Sequence, residues 1–217
     1  MKRGFTLIEL LIVVAIIAIL AAIAIPNFLQ AQIRAKISRA NNDLRNIGTA
    51  LESYYVDHNA YPPHNDEWWL FIGHSAITGA GRPPEWFQPM EFLTTPIAYI
   101  TTLSADPFAH APQDPSYNYP YRYIVPTQHS LQQDQDQDPL YLGTRRTMGQ
   151  WMAWSCGPDL FSHIAQELLA IRWGGATVDS FNESFIDRVY DPTNGIESSG
   201  DIYRSQLRPD GGAPPRP

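Results

Sequence analysis

Met1-Lys2-Arg3-Gly4-Phe5-Thr6-Leu7-Ile8-Glu9 opens the chain, and Leu10 to Ile25 follows as sixteen apolar residues without interruption. As a helix, Phe5 to Ile25 reaches roughly 31 Å at 1.5 Å per residue, enough to cross the hydrocarbon core of a bilayer. Glu9 sits almost at the head of this span. An ionised side chain there costs a few kcal/mol at least unless a partner charge or a function holds it. A cut after Gly4 would create that partner, because the freed α-amine of Phe5 lies four residues away, one helical turn within the chain or across a contact with a neighbour.

Two plainer readings compete. Lys2 and Arg3 could be the basic region of a secretory signal, with Ala22-Ile23-Ala24 as its cleavage site, but Glu9 interrupts the apolar region and the helical pattern runs straight through the proposed cut. A simple single-span anchor bearing a sensor or binding module fits the length, and only Glu9 and the Gly4-Phe5 junction argue against it. Charge does not orient the span. Lys2 and Arg3 precede it, while Arg34, Lys36, Arg39 and Arg45 follow within about 20 residues, the window in which positive charge counts.

Beyond Pro26, apolar residues recur at Leu29, Ile33, Ile37, Ala40, Leu44, Ile47, Leu51 and Tyr54, in steps of three or four. That spacing predicts a helix with one buried stripe, packed on its own domain. Its end is expected near His58-Asn59, where Asn can adopt the left-handed cap and Pro62-Pro63 prevents continuation. Phe5 to about Asp57 therefore makes one rod of roughly 80 Å, lipid-soluble only in its first part. Pro26 lies between the halves, removes a backbone hydrogen bond and crowds the preceding turn, so a kink or a locally unwound segment is expected there.

After Tyr61 the texture turns to Pro and aromatic residues. Trp68 to Ile72 reads as a short buried helix or turn, and Arg82 to Pro89 as a loop. Candidate strands are Ala98 to Leu103, Tyr121 to Val125, Trp151 to Ser155, Phe185 to Tyr190 and Ile202 to Ser205. Leu160 to Trp173 keeps helical spacing and is stopped by Gly174-Gly175. One long helix followed by short strands in hairpin order implies an α+β fold, the helix lying across a small antiparallel sheet.

The 217 residues carry 15 basic and 22 acidic side chains, a net charge of -7. That balance disfavours nucleic acid, whose phosphates call for a basic stripe. Cys156 is the single cysteine, so no intramolecular disulfide can form. The six histidines show no metalloprotease pairing, and no nucleophile elbow or Walker loop is present, so the chain does not read as an enzyme. Asp134, Asp136 and Asp138 imitate the opening of an EF-hand, but Pro139 replaces the required Gly and Arg145 stands where the bidentate Glu belongs.

The run Lys2-Arg3-Gly4-Phe5-Thr6-Leu7-Ile8-Glu9 closely resembles the prepilin processing site of type IV pilins and type II secretion pseudopilins. The resemblance implies that a prepilin peptidase cuts between Gly4 and Phe5 and N-methylates Phe5, and that Glu9 pairs with a neighbouring Phe5 amine to set filament register. It continues in Ala50 to Tyr55 with Tyr61-Pro62, in Asp106-Pro107-Phe108 before Tyr121-Arg122-Tyr123, in Ser155 to Asp159, and in Asn194-Gly195 with Ser199 to Ile202. The missing cysteine pair tilts it toward pseudopilins, the G type above all, with inserted material over 63–90, 127–147 and 160–187. The expected organisation is a leader over 1–4, a transmembrane and polymerisation helix over 5–25, a globular domain over 26–208 and a disordered tail over 209–217.

In the same terms the chain is a structural filament subunit: a homopolymer through its N-terminal helices, served by an inner-membrane assembly platform and minor pilins or pseudopilins. Its N-terminus would be cytoplasmic and its globular domain periplasmic. One acidic constellation bears on cofactors. Asp159, Asp191, Asn194 and Asp201 lie in glycine-punctuated, oxygen-rich turns of the kind hard cations prefer, and G-type pseudopilins hold a structural Ca²⁺ in the corresponding loop. An Asx-turn loop explains Asp191 and Asn194 equally well.

Overall fold

The computed structural model describes residues 6–62, 89–108, 121–125, 148–161, 163–164, 189–191, 193 and 198–211. Gly4, Phe5, Asn194, the segment Trp68 to Ile72, the loop from Arg82 to Gln88 and residues 212–217 lie outside them.

A single helix, α1, spans Leu7–His58. Its C-terminus follows the sequence: Asn59 takes φ 53° and ψ 24°, and its N–H donates to Tyr55 O at 2.8 Å. At the other end Thr6 is the N-cap of a capping box. Its N–H and Oγ1 donate to Glu9 Oε2 at 2.9 and 2.7 Å, while Glu9 N–H donates back to Thr6 Oγ1 at 3.3 Å. Pro26 lies inside α1, which runs through it without an unwound segment. Packing begins late. Ile37, Ala40, Leu44, Ile47, Gly48, Ala50 and Leu51 are buried, while the large apolar residues from Leu7 to Leu29 are exposed.

Three strands follow: β1 (Arg122–Ile124), β2 (Met152–Ser155) and β3 (Ile202–Ser205). They form one sheet in the order β1-β2-β3, antiparallel throughout, with Tyr123 opposite Ala153 and Ala153 opposite Arg204. The helix crosses β2 and β3. Tyr123, Ala153 and Ile202 face it and join its stripe in one core with Tyr61, Met90, Leu93, Phe108, Tyr121, Val125 and Trp151. Met152, Trp154 and Tyr203, on the opposite face, are buried too. This is the α+β arrangement expected from the sequence.

Each acidic residue in the second half of α1 receives a hydrogen bond from an aromatic side chain. Tyr121 OH donates to Asp43 Oδ2 at 2.9 Å, Trp151 Nε1–H to Glu52 Oε1 at 2.7 Å, and Tyr99 OH to Asp57 Oδ2 at 2.7 Å. Apolar burial alone leaves the rotation of a helix on its sheet loosely set; these polar contacts fix it, the two part-buried ones, at Asp43 and Glu52, contributing about 1 kcal/mol each.

Two expectations need correction, and a third is only partly described. Ala98 to Leu103 is no strand: the N–H groups of Tyr99 and Ile100 donate to Leu93 O at 2.9 and 3.1 Å, closing a turn after the 3₁₀ segment Pro89–Leu93 instead of joining a ladder. Of Phe185 to Tyr190, residues 185–188 lie outside the described residues, and Val189 forms a parallel bridge with Asp201. The helix placed at Leu160 does not start there, because Leu160 has φ 62° in a turn and Phe161 is not helical; His163 and Ile164 are helical, with 162 and 165–173 outside the described residues.

Candidate functional site

Two regions hold the residues singled out from the sequence. The first is the apolar half of α1. It is the one described helix long and apolar enough to cross a membrane, and none of its most apolar stretch is buried. Leu7 is 87% exposed and Ile19 63%, against 1% for Leu44 in the second half. The same helix thus presents one surface matched to its own domain and another with no match inside the fold.

At the head of that second surface, Glu9 occupies the third position of the capping box. Its carboxylate serves two donors of Thr6, and it sits where the helix N-terminus favours negative charge. Thr6-x-x-Glu9 is a recognisable capping signature, and it supplies Glu9 with a local partner that the charge argument alone does not reveal. The ionic partner expected from Phe5 lies outside the described residues.

The second region gathers the acidic turns around the start of β3. Asp201 is fully buried, and its Oδ1 and Oδ2 accept from the N–H groups of His163 and Ile164 at 3.1 and 2.8 Å, holding the first turn of the segment that follows Phe161. Asp159 Oδ2 accepts from Gly200 N–H at 3.1 Å and lies 2.7 Å from His163 Nε2, while its Oδ1 accepts from Phe161 N–H at 3.1 Å. Asp159 and Asp201 are therefore brought to one place despite the long insertion between them. Asp191 is organised separately: its Oδ1 accepts from Thr193 N–H at 2.8 Å and from Thr193 Oγ1–H at 2.7 Å, an Asx-turn.

Among the described residues no three His, Cys, Asp or Glu side chains converge closely enough to hold a metal ion. The carboxylates of Asp159, Asp191 and Asp201 are engaged by N–H and O–H donors, while Asn194, the remaining member of the expected set, lies outside the described residues.

A buried polar cluster lies beside them. Asp106 Oδ1 accepts from Ser155 Oγ–H at 2.7 Å and from Phe108 N–H at 2.9 Å, and the Arg122 guanidinium donates to Cys156 Sγ. Burial raises the Asp106 carboxyl above its ordinary value, against its hydrogen bonds to Ser155 and Phe108 and the charge of Arg122. Burial likewise pushes Asp201 up to about 8, opposed by the two N–H donors and Arg122, and Cys156 up to about 11. Gly157 permits the close approach of these turns: at φ 74° it faces the Gly200 carbonyl where a Cβ would collide. Asp106 and Ser155 carry no signal of their hydrogen bond in sequence, since 49 positions separate them.

Residues 1–25 match the family described as the prokaryotic N-terminal methylation motif. The major type IV pilin PilA of Myxococcus xanthus is 54% identical over 66 residues, 30% of this chain and 30% of that protein. The type II secretion system core protein G of Pseudomonas aeruginosa is 31% identical over 125 residues, 58% of this chain and 75% of that protein. The core protein G of Escherichia coli is 30% identical over 109 residues, covering 50% and 68%. No solved structure matches. The chain thus spans about a third of the length of the pilin but most of either core protein G. A motif at the head of an unmatched apolar helix, and similarity that continues well beyond that helix, place this chain in the family of type IV pilins and type II secretion pseudopilins.

Proposed function

We propose that this chain is a structural subunit of a type II secretion pseudopilus, cut between Gly4 and Phe5 by a prepilin peptidase and assembled through its N-terminal helix. The observation that carries the reading is the division of α1. From Leu7 to Leu29 its large apolar side chains have no partner in the fold, whereas from Ile37 onward they are buried. In the bilayer, lipid covers the first half; in the filament, the same half packs against the helices of neighbouring copies, exchanging lipid contacts for helix contacts. Glu9 marks the axial register by meeting the Phe5 amine of the next copy. The globular domain stands outside the cytoplasmic membrane, and an assembly platform and minor pseudopilins complete the partners.

A pseudopilus is favoured over a pilus by the extent of similarity. The match to core protein G covers 125 residues, more than twice the 52 of α1, so it reaches into the sheet-bearing domain. The match to the pilin covers 66, hardly more than α1 and its leader fill.

Gly4→Leu tests the processing step. The bulky side chain should block the cut, so that the chain keeps its leader, remains in the membrane and forms no filament while its globular domain melts as in the wild type. Mature filaments from Gly4→Leu at normal yield would rule out processing at this junction.

A further inference from the structure

Arg204 lies on the helix-facing side of β3, two residues beyond the buried Ile202 and opposite Ala153 in the core. Its aliphatic stem crosses Gly48 of α1, where an added Cβ would come within 3.5 Å of Arg204 Cδ. Arg45 is three residues before Gly48, on the same face of the helix. Both guanidinium-bearing side chains are therefore anchored beside Gly48 at the rim of the helix-sheet junction, within each other's electrostatic reach. Among the described residues the ion pairs are Arg39 with Asp43 and His163 with Asp159, and neither Arg45 nor Arg204 has a carboxylate within ion-pair distance. Burial and then the charge of Arg45 both lower the Arg204 guanidinium below its ordinary value, with Asp210 opposing them.

Like charges brought together, with only Asp210 opposing them from beyond ion-pair distance, are unfavourable in the monomer, and Arg204 is half buried as well. We infer that Arg45 and Arg204 form a two-pronged carboxylate-binding site for a second copy of this chain. This rests on the filament reading above and names a contact within it. The partner's chemistry follows from how charge is distributed along the chain. Residues 63–217 carry 18 acidic and 9 basic side chains, whereas 34–45 carry four basic and one acidic, so the body of one copy is complementary to this rim of another. A lipid phosphate is out of reach. Arg45 lies 20 residues beyond Ile25, about 30 Å along a helix, whereas a headgroup layer extends only about 5 to 8 Å beyond the hydrocarbon. A paired guanidinium site also suits a carboxylate, which accepts two parallel N–H bonds from each planar fork.

The test uses the full chain produced with its assembly machinery, comparing wild type with Arg45→Gln/Arg204→Gln and Arg45→Lys/Arg204→Lys. Filament yield after shearing should fall by about tenfold or more in the glutamine variant. The melting temperature of the same chain in detergent should hold or rise, because the repulsion is gone, and the lysine variant should recover part of the yield. Wild-type yield from the glutamine variant overturns the site, as does a melting temperature that falls along with assembly, which would make the pair structural. Loss of flotation with phosphatidylglycerol vesicles at undiminished filament yield would reassign it to lipid. A wild-type chain that forms no filament at all removes the filament reading and this site with it.

Discussion

At position 48 a hydrogen in place of a methyl lets Trp151 close on α1: an added Cβ would lie 2.8 Å from Trp151 Cη2. Gly48→Ala should therefore cost about 1 to 3 kcal/mol through displacement of the indole, despite the better helix propensity of alanine, and a thermal melt would read this as a clear drop. A stability gain would show that Trp151 moves freely. Burial acts on charge at the same scale. Because Asp201 binds its proton more tightly folded, near 8, than unfolded, near 3.8, the native state holds more protons between those values and loses stability as pH rises through them. The raised Asp106 adds to the same slope. The globular domain should melt higher at pH 5 than at pH 8, and Asp201→Ala should flatten that difference; a melting point that climbs steadily from pH 5 to pH 8 would contradict it. Residue identity makes some of this legible. Thr6-x-x-Glu9 spells a cap in four letters, whereas an aspartate in a Gly-rich loop looks the same whether cations or N–H groups face it. Only the fold shows that the N–H groups of His163 and Ile164 are carried to Asp201.

At the scale of elements, α1 is the most legible, because a period of three to four residues, an Asn able to turn left-handed and a Pro pair beyond it are local properties. The strands β1, β2 and β3 fall inside three of the expected segments, each with at least one aromatic residue. Ala98 to Leu103 has the same composition and is a turn, because the carbonyl that its amides find, that of Leu93, is set by the preceding 3₁₀ segment and not by its own side chains. The division of α1 gives a prediction with two arms. Leu44→Ala removes a side chain that is 1% exposed and should cost about 2 to 5 kcal/mol, lowering the melting point of the globular domain. Ile16→Ala, at 53% exposure, should leave that melting point unchanged and instead lower filament yield. Equal effects of both changes on melting would mean that the first half of the helix packs on the domain after all.

For the whole molecule, the account joins a rod with one unmatched half to a domain that holds the other half in a defined rotation through Asp43, Glu52 and Asp57. On the proposed reading such a subunit has two resting places for its apolar half, lipid and a bundle of its own kind, and assembly would be the transfer between them. A simple anchor has only the first. The intact mass of the chain recovered from sheared filaments distinguishes these most directly. The account predicts filaments made of a chain that begins at N-methylated Phe5, with Met1 to Gly4 absent. A chain found only in the membrane, unassembled and still beginning at its leader, would contradict it.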